Sequence, residues 1–234
     1  LLELNNVNTY YGQYHVIRNV SLKFDAGGFL LIIGPNGHGK STLLKTICGL
    51  IPVASGRVFF QGKDITRWPT HKIVEAGLVY VAEARHLFTD MTVLQNLLLG
   101  AFSTGARKKS KQTLDYVYHL FPKLKDIPEQ IVATLSGGEA RMLTIGRGIM
   151  SNAKLLAIDE PSFGLAPKIR NEVFRKIESI RQDGTTILLV EQNVSHVVDF
   201  ADRICLIEDG QIVFEDDKEA ALLDEHVNKA FLGG

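Results

Sequence analysis

Short runs that are apolar at nearly every position recur along the chain: Phe29–Ile33, residues 78–82, residues 155–158 and Thr186–Val190. Runs of that length without alternation predict strands buried on both faces. Between them, apolar residues return at helical spacing over residues 41–50, 92–101 and 112–124, Gly137–Met150, Pro167–Gln182 and residues 194–201. Residues 7–11, 16–24 and 57–61 read as further strands, with alternation in the second and turns at Asp25-Ala26-Gly27-Gly28 and Gln61-Gly62-Lys63-Asp64. Residues 103–111, basic and glycine-containing, read as an exposed connector. Strands Arg203–Glu208 and 211–214 precede C-terminal helices. Strands alternating with helices indicate an α/β fold with a mainly parallel sheet covered on both faces. The helical stretch at about 92–150 reads as an insertion forming a second lobe.

Composition narrows the partners more than the fold. The 234 residues carry 26 Lys plus Arg and 26 Asp plus Glu, a formal net charge of zero, whereas nucleic-acid binders are usually basic. Arg107-Lys108-Lys109-Ser110-Lys111 is too short a run to change that and reads as solvated. Cys48 and Cys205 lie in apolar patterns without metal-ligand spacing, so buried free thiols in a reducing compartment are expected. No apolar run approaches the ~18 residues of a membrane span, and no signal peptide is read. The chain does not begin with Met, so a trimmed or partial N-terminus is expected. Work at a membrane would require docking to something that spans it.

Three segments carry chemistry. Gly34-Pro35-Asn36-Gly37-His38-Gly39-Lys40-Ser41 follows a buried strand and opens a helix, the context of a phosphate-binding loop. Gly34, Asn36, Gly37 and Gly39 shape backbone N–H groups around phosphate oxygens at a helix N-terminus, and Thr42 follows in the first turn. Lys40 supplies charge for the β- and γ-phosphates, and Ser41 a hydroxyl for Mg²⁺. The loop acts through its backbone, so the His38 side chain is assigned no role. Asp159 and Glu160 end a buried strand, where Asp159 can hold Mg²⁺ and Glu160 can polarise water for in-line attack on the γ-phosphate. The third segment is Leu135-Ser136-Gly137-Gly138-Glu139, opening a helix 20 positions ahead of the acidic pair.

With that spacing the chain resembles the nucleotide-binding subunit of ABC (ATP-binding cassette) systems along nearly its whole length. The resemblance implies one P-loop NTPase (RecA-like) domain over 1–234, with an N-terminal antiparallel β subdomain and the helical subdomain at 92–150. It also implies ATP and Mg²⁺ sandwiched between two subunits, with Ser136, Gly137 and Gly138 of one facing the γ-phosphate held by the other. Tyr11 matches the aromatic residue that stacks on adenine, with Tyr14 as competitor. Four departures stand out: Glu83 at a metal-ligand position that is usually Gln, Glu139 for Gln, Ala166 for Asp, and Gln192 where a His usually contacts the γ-phosphate. Gln192 can donate a hydrogen bond but carries no charge, so this catalytic contact is expected to be weaker.

These departures resemble one of the two ATPase subunits of branched-chain amino-acid importers, whose relatives move urea, amides and other amino acids. The implied partners are a second ATPase subunit, giving a heterodimer (with a homodimer open to the isolated chain), and transmembrane permease subunits docking at residues 83–100. The implied location is peripheral, on the cytoplasmic face of the inner membrane. A soluble ABC ATPase acting on nucleic acid or ribosomes is the rival, disfavoured by the missing tandem cassette, coiled coil and zinc-binding cysteines. A small-molecule kinase would leave Leu135–Glu139 unexplained.

Overall fold

Side chains alternate between the faces of a strand, so a run apolar at every position needs cover on both sides. The computed structural model, which describes residues 1–82, 86–192, 194 and 197–227, provides that cover. The chain begins β1 (Leu2–Tyr11), β2 (Tyr14–Phe24), β3 (Phe29–Ile33), α1 (Lys40–Ile47), β4 (Ser55–Phe60), β5 (Lys63–Asp64), α2 (Thr70–Ala76) and β6 (Leu78–Val81). Helices follow: α3 (Val93–Gly100), α4 (Thr104–Lys108), α5 (Ser110–Leu120), α6 (Pro122–Asp126) and α7 (Gly137–Met150). Then come β7 (Leu155–Asp159), α8 (Pro167–Gln182), β8 (Thr186–Val190), β9 (Arg203–Glu208), β10 (Gln211–Asp217), α9 (Lys218–Leu223) and α10 (Glu225–Val227).

The central sheet has the order β10-β9-β3-β8-β7-β6, parallel from β9 to β6, with antiparallel β10 at one edge. A smaller antiparallel sheet, β2-β1-β4-β5, lies over one face. Phe29, Leu31 and Ile33 of β3 share a core with α7 and α8, while Leu30 and Ile32 point the other way, toward α1 and the small sheet. Both cysteines are buried and free on that second side. The α8 stripe is core as read, with Val173, Ile177 and Ile180 buried and Ile169 partly so.

Several boundaries differ from the reading of the sequence. Residues 103–111 are not an open connector: Ser103 caps α4 by accepting the Ala106 N–H, and Ala106 is buried. The helix expected over 112–124 is two helices, broken at Phe121 because Pro122 disfavours helical backbone in the residue before it. Over 194–201, the described residues contain only a 3₁₀ turn, Val198–Phe200, and Ala201 is extended. β5 and α2 went unread, β5 being two residues long and α2 having a single fully buried position, Ile73.

The strap before α3 depends on one amide. Asn96, fully buried, accepts the Phe88 N–H and donates to the Phe88 and Thr92 carbonyls at 2.9–3.1 Å. The Phe88 and Thr92 carbonyls keep the Met91 and Asn96 N–H groups as donors, so Asn96→Ala leaves the Phe88 N–H without its acceptor, and a loss of about 1–2 kcal/mol in urea-unfolding free energy is expected.

Candidate functional site

Parallel strands deliver their C-terminal ends to one edge, which is where the chemistry-bearing residues collect. The chain leaves β3 at Gly34, with φ +152°, where a Cβ would lie 2.2 Å from the Ile207 carbonyl oxygen. Only glycine fits that approach. Gly39, at φ +102°, caps α1 without any side-chain bond, so the first N–H groups of the helix remain available to an anion. Lys40 is 4% exposed. Its Nζ donates to the Gly34 and Pro35 carbonyls at 2.8 and 3.0 Å and lies 3.9 Å from Glu160 Oε1. Burial lowers the Lys40 pKa, and Glu160, Asp159 and Glu191 oppose that shift. A buried cation so placed is suited to anchor phosphate.

Asp159 is almost fully buried with both oxygens engaged: Ser41 Oγ donates to Oδ1 at 2.8 Å and the Tyr80 hydroxyl to Oδ2 at 2.7 Å. Register places Tyr80 opposite Ala157 on β7, close to the carboxylate. Glu160 follows at φ +40°, a left-handed conformation that costs a non-glycine residue about 1–2 kcal/mol and is commonest where function demands it. The Glu160 N–H donates to the Val190 carbonyl at 3.0 Å, tying the turn to the end of β8. Across the loop, Asn36 Nδ2 donates to Gln192 Oε1 at 3.1 Å. The phosphate loop, Asp159, Glu160 and Gln192 therefore meet in one place. Thr42, in the first turn of α1, takes the Thr46 hydroxyl on its carbonyl.

His38 has a side-chain role after all. Its Nδ1 accepts the Asp209 N–H at 3.0 Å and its carbonyl accepts the Gly210 N–H at 3.1 Å, fastening the phosphate loop to the β9–β10 hairpin. The Gly210 carbonyl in turn accepts the Arg18 N–H of β2. A Cβ on Gly210 would meet the Val16 oxygen at 1.8 Å. Tyr80 and His38 gave little signal, since each acts through a partner distant in sequence.

The other candidates lie apart. Tyr11 and Tyr14 are exposed at the β1–β2 turn, and Tyr11 reaches a cavity of about 630 Å³ also lined by Lys45 and Tyr80. Ser136 caps α7, exchanging bonds with Glu139: its N–H and hydroxyl donate to Oε2 and its oxygen accepts the Glu139 N–H. Those donations hold the Glu139 carboxyl below its usual range. Gly137 opens α7, and a Cβ on Gly138 would press on Ile169 at 2.9 Å. Glu83 lies outside the described residues. Among the described residues no group of three His, Cys, Asp or Glu forms a metal cluster.

The chain belongs to the ABC transporter family, whose model matches residues 17–163. It is 42% identical to the high-affinity branched-chain amino acid transport ATP-binding protein BraG of Pseudomonas aeruginosa, covering all of both chains. An ATP-binding cassette of an ABC transporter, solved in its ADP conformation, superposes with a TM-score of 0.86 at 29% identity, covering 100% of this chain and 99% of the other. A bacterial ABC transporter cassette with a dimeric structure gives a TM-score of 0.79 at 25% identity, covering 93% of this chain and 99% of the other. The protein is a nucleotide-binding ATPase of P-loop NTPase fold that works with transporter components, and hence is membrane-associated. No helix among its described residues is long and apolar enough to cross a membrane.

Lys40→Ala removes the buried cation. ATP affinity, read with a fluorescent ATP analogue, is expected to fall by at least about tenfold.

Proposed function

We propose that this protein is the peripheral ATPase subunit of an importer for branched-chain amino acids or related amino acids, amides or urea, at the cytoplasmic face of the inner membrane. The observation that carries the reading is the convergence of Lys40, Asp159, Glu160 and Gln192 on one phosphate cradle in a chain 42% identical to BraG. The chain forms one ATPase domain, with its helical lobe at about 92–150 inserted in the α/β core.

In this reading the phosphate loop, Gly34 to Thr42, grips the triphosphate, with Lys40 drawn from its own carbonyls to the β- and γ-phosphates. Ser41 and Asp159 are hard oxygen donors that suit Mg²⁺, with Glu83 as a third ligand, and the ion would neutralise phosphate charge. Tyr80 fixes the orientation of the Asp159 carboxylate. Glu160 accepts a hydrogen bond from the attacking water and aims it in line at the γ-phosphate. Gln192 spends its oxygen on Asn36, which leaves its NH₂ to donate to the γ-phosphate. Tyr11 stacks on adenine.

Among the described residues the Ser136 side chain bonds only to Glu139, which supports its use by a second subunit. Ser136, Gly137 and Gly138 then present the α7 N-terminus to the γ-phosphate held across the interface. The partner is a second ATPase subunit carrying the stronger histidine switch. The cavity beside β6, with exposed Phe88, Leu99 and Phe102 at its margin, supports permease docking at residues 83–100. ATP touches both faces of the dimer, so its binding shifts the population toward closure, and loss of the γ-phosphate permits reopening.

Glu160→Gln is expected to bind ATP, turn over at least about 100-fold more slowly and accumulate as an ATP-bound dimer on size exclusion. Normal turnover in that variant would reassign the base. The isolated chain, with a neutral Gln192 and Ala166 in place of Asp, is expected to hydrolyse ATP slowly and to gain about tenfold when its partner ATPase is added. Equal rates with and without the partner would remove the case for unequal sites.

A further inference from the structure

Past Asp159 and Val190 the pairing of β7 with β8 ends, its last contact being the bond from the Glu160 N–H to the Val190 carbonyl. Beyond that point two loops diverge, one carrying Glu160 and the other Gln192. A single carboxyl spans them. Glu191, 2% exposed, accepts the Ser162 N–H on Oε1 at 3.0 Å and the Gln192 N–H on Oε2 at 3.2 Å, and the Ser162 hydroxyl also favours its anion. Ser162 itself is buried, and its carbonyl accepts the Leu165 N–H, so the hold extends through the loop after Glu160. An ionised carboxylate is an acceptor on both oxygens, which is what two N–H donors, one on each oxygen, require. An amide or hydroxyl could not accept on both sides.

The strained Glu160 backbone makes such a tie necessary, because a left-handed residue persists only where its surroundings over-determine it. We propose that Glu191 is a positioning residue that locks the Glu160 loop to the Gln192 turn, so the water-orienting acid and the phosphate-sensing amide keep one spacing through the cycle. This rests on the roles assigned above to Glu160 and Gln192.

The tie is proton-sensitive. Burial, and then the Glu160 charge, raise the Glu191 pKa to about 7 against the bonds from Ser162 and Gln192 that favour the anion. Lys40, at the start of α1, is a cation whose charge acts on Glu160, Asp159 and Glu191 together. Below about pH 7 the proton turns one oxygen into a donor, and an N–H loses its acceptor. The phosphate loop bonds are unaffected, so turnover falls on the acid side while ATP binding holds.

The test is Glu191→Gln in the full chain assembled with its partner ATPase, with kcat and KM for ATP measured from pH 6 to 9. The isosteric amide mimics the protonated acid. Its kcat at pH 8 is expected to drop about tenfold, with KM and nucleotide binding preserved and the acid limb near 7 abolished. Ser162→Ala, which loses only a hydroxyl that favours the anion, is expected to move that limb to higher pH. A Glu191→Gln variant with unchanged kcat and acid limb, or one losing nucleotide binding in proportion to kcat, overturns the proposal. Normal turnover of Glu191→Gln beside an inactive Glu160→Gln removes the tie alone; normal turnover of Glu160→Gln removes the assignment it serves.

Discussion

A buried lysine surrounded by acids and carbonyls sets the terms for this molecule. Lys40 sits almost without solvent at the sheet edge, held by Gly34, Pro35 and the charge of Glu160. Such a cation is costly unless its surroundings keep it charged, and those surroundings come from strands distant in sequence. Gly34 must pass close to β9, β7 must end in Asp159 and Glu160, and β8 must end beside them. The six-stranded sheet exists in this order to make those three requirements compatible. A nucleotide's phosphates are the natural counterpart, bringing negative charge to a cradle that already holds its cation in place.

How much of this could be read from the chain depends on how far apart the interacting residues lie. The phosphate loop and the Asp159–Glu160 pair were legible because their chemistry needs contiguous residues at fixed spacing. The strands β3, β8 and β9 were legible for a related reason, since cover on both faces forces apolar residues at successive positions. Tyr80 was not: its partner lies 79 positions away, and a tyrosine in a strand looks like any other. Glu191 was hidden by the same distance, 29 positions from Ser162. The α4 helix escaped because Gly105 and a run of basic residues resemble a loop, and only the Ser103 cap and buried Ala106 hold it together. The roles proposed for Ser136 to Gly138 came from resemblance, since inside one chain they form only a capped helix start.

The substitutions that set this chain apart from its wider family have local explanations of unequal depth. Glu139 serves as a better cap than glutamine, because an ionised carboxylate takes both donors of Ser136 and suits the positive end of α7. Gln192 joins an amide pair with Asn36, a contact between neutral groups that holds the loop without adding charge beside Lys40. Nothing among the described contacts explains Ala166, which stands just before Pro167 at the start of α8.

The His38 fastening has a mechanical consequence. Residue 38, the hairpin at 209–210 and the strand at 16–18 are knotted by three backbone-directed bonds and one steric contact that admits no side chain. Phosphate loop, hairpin and outer sheet therefore travel as a single stiff block. Whatever rearrangement accompanies a turnover is then left to elements outside that block, such as helices α3 to α7, which pack on the sheet through apolar side chains.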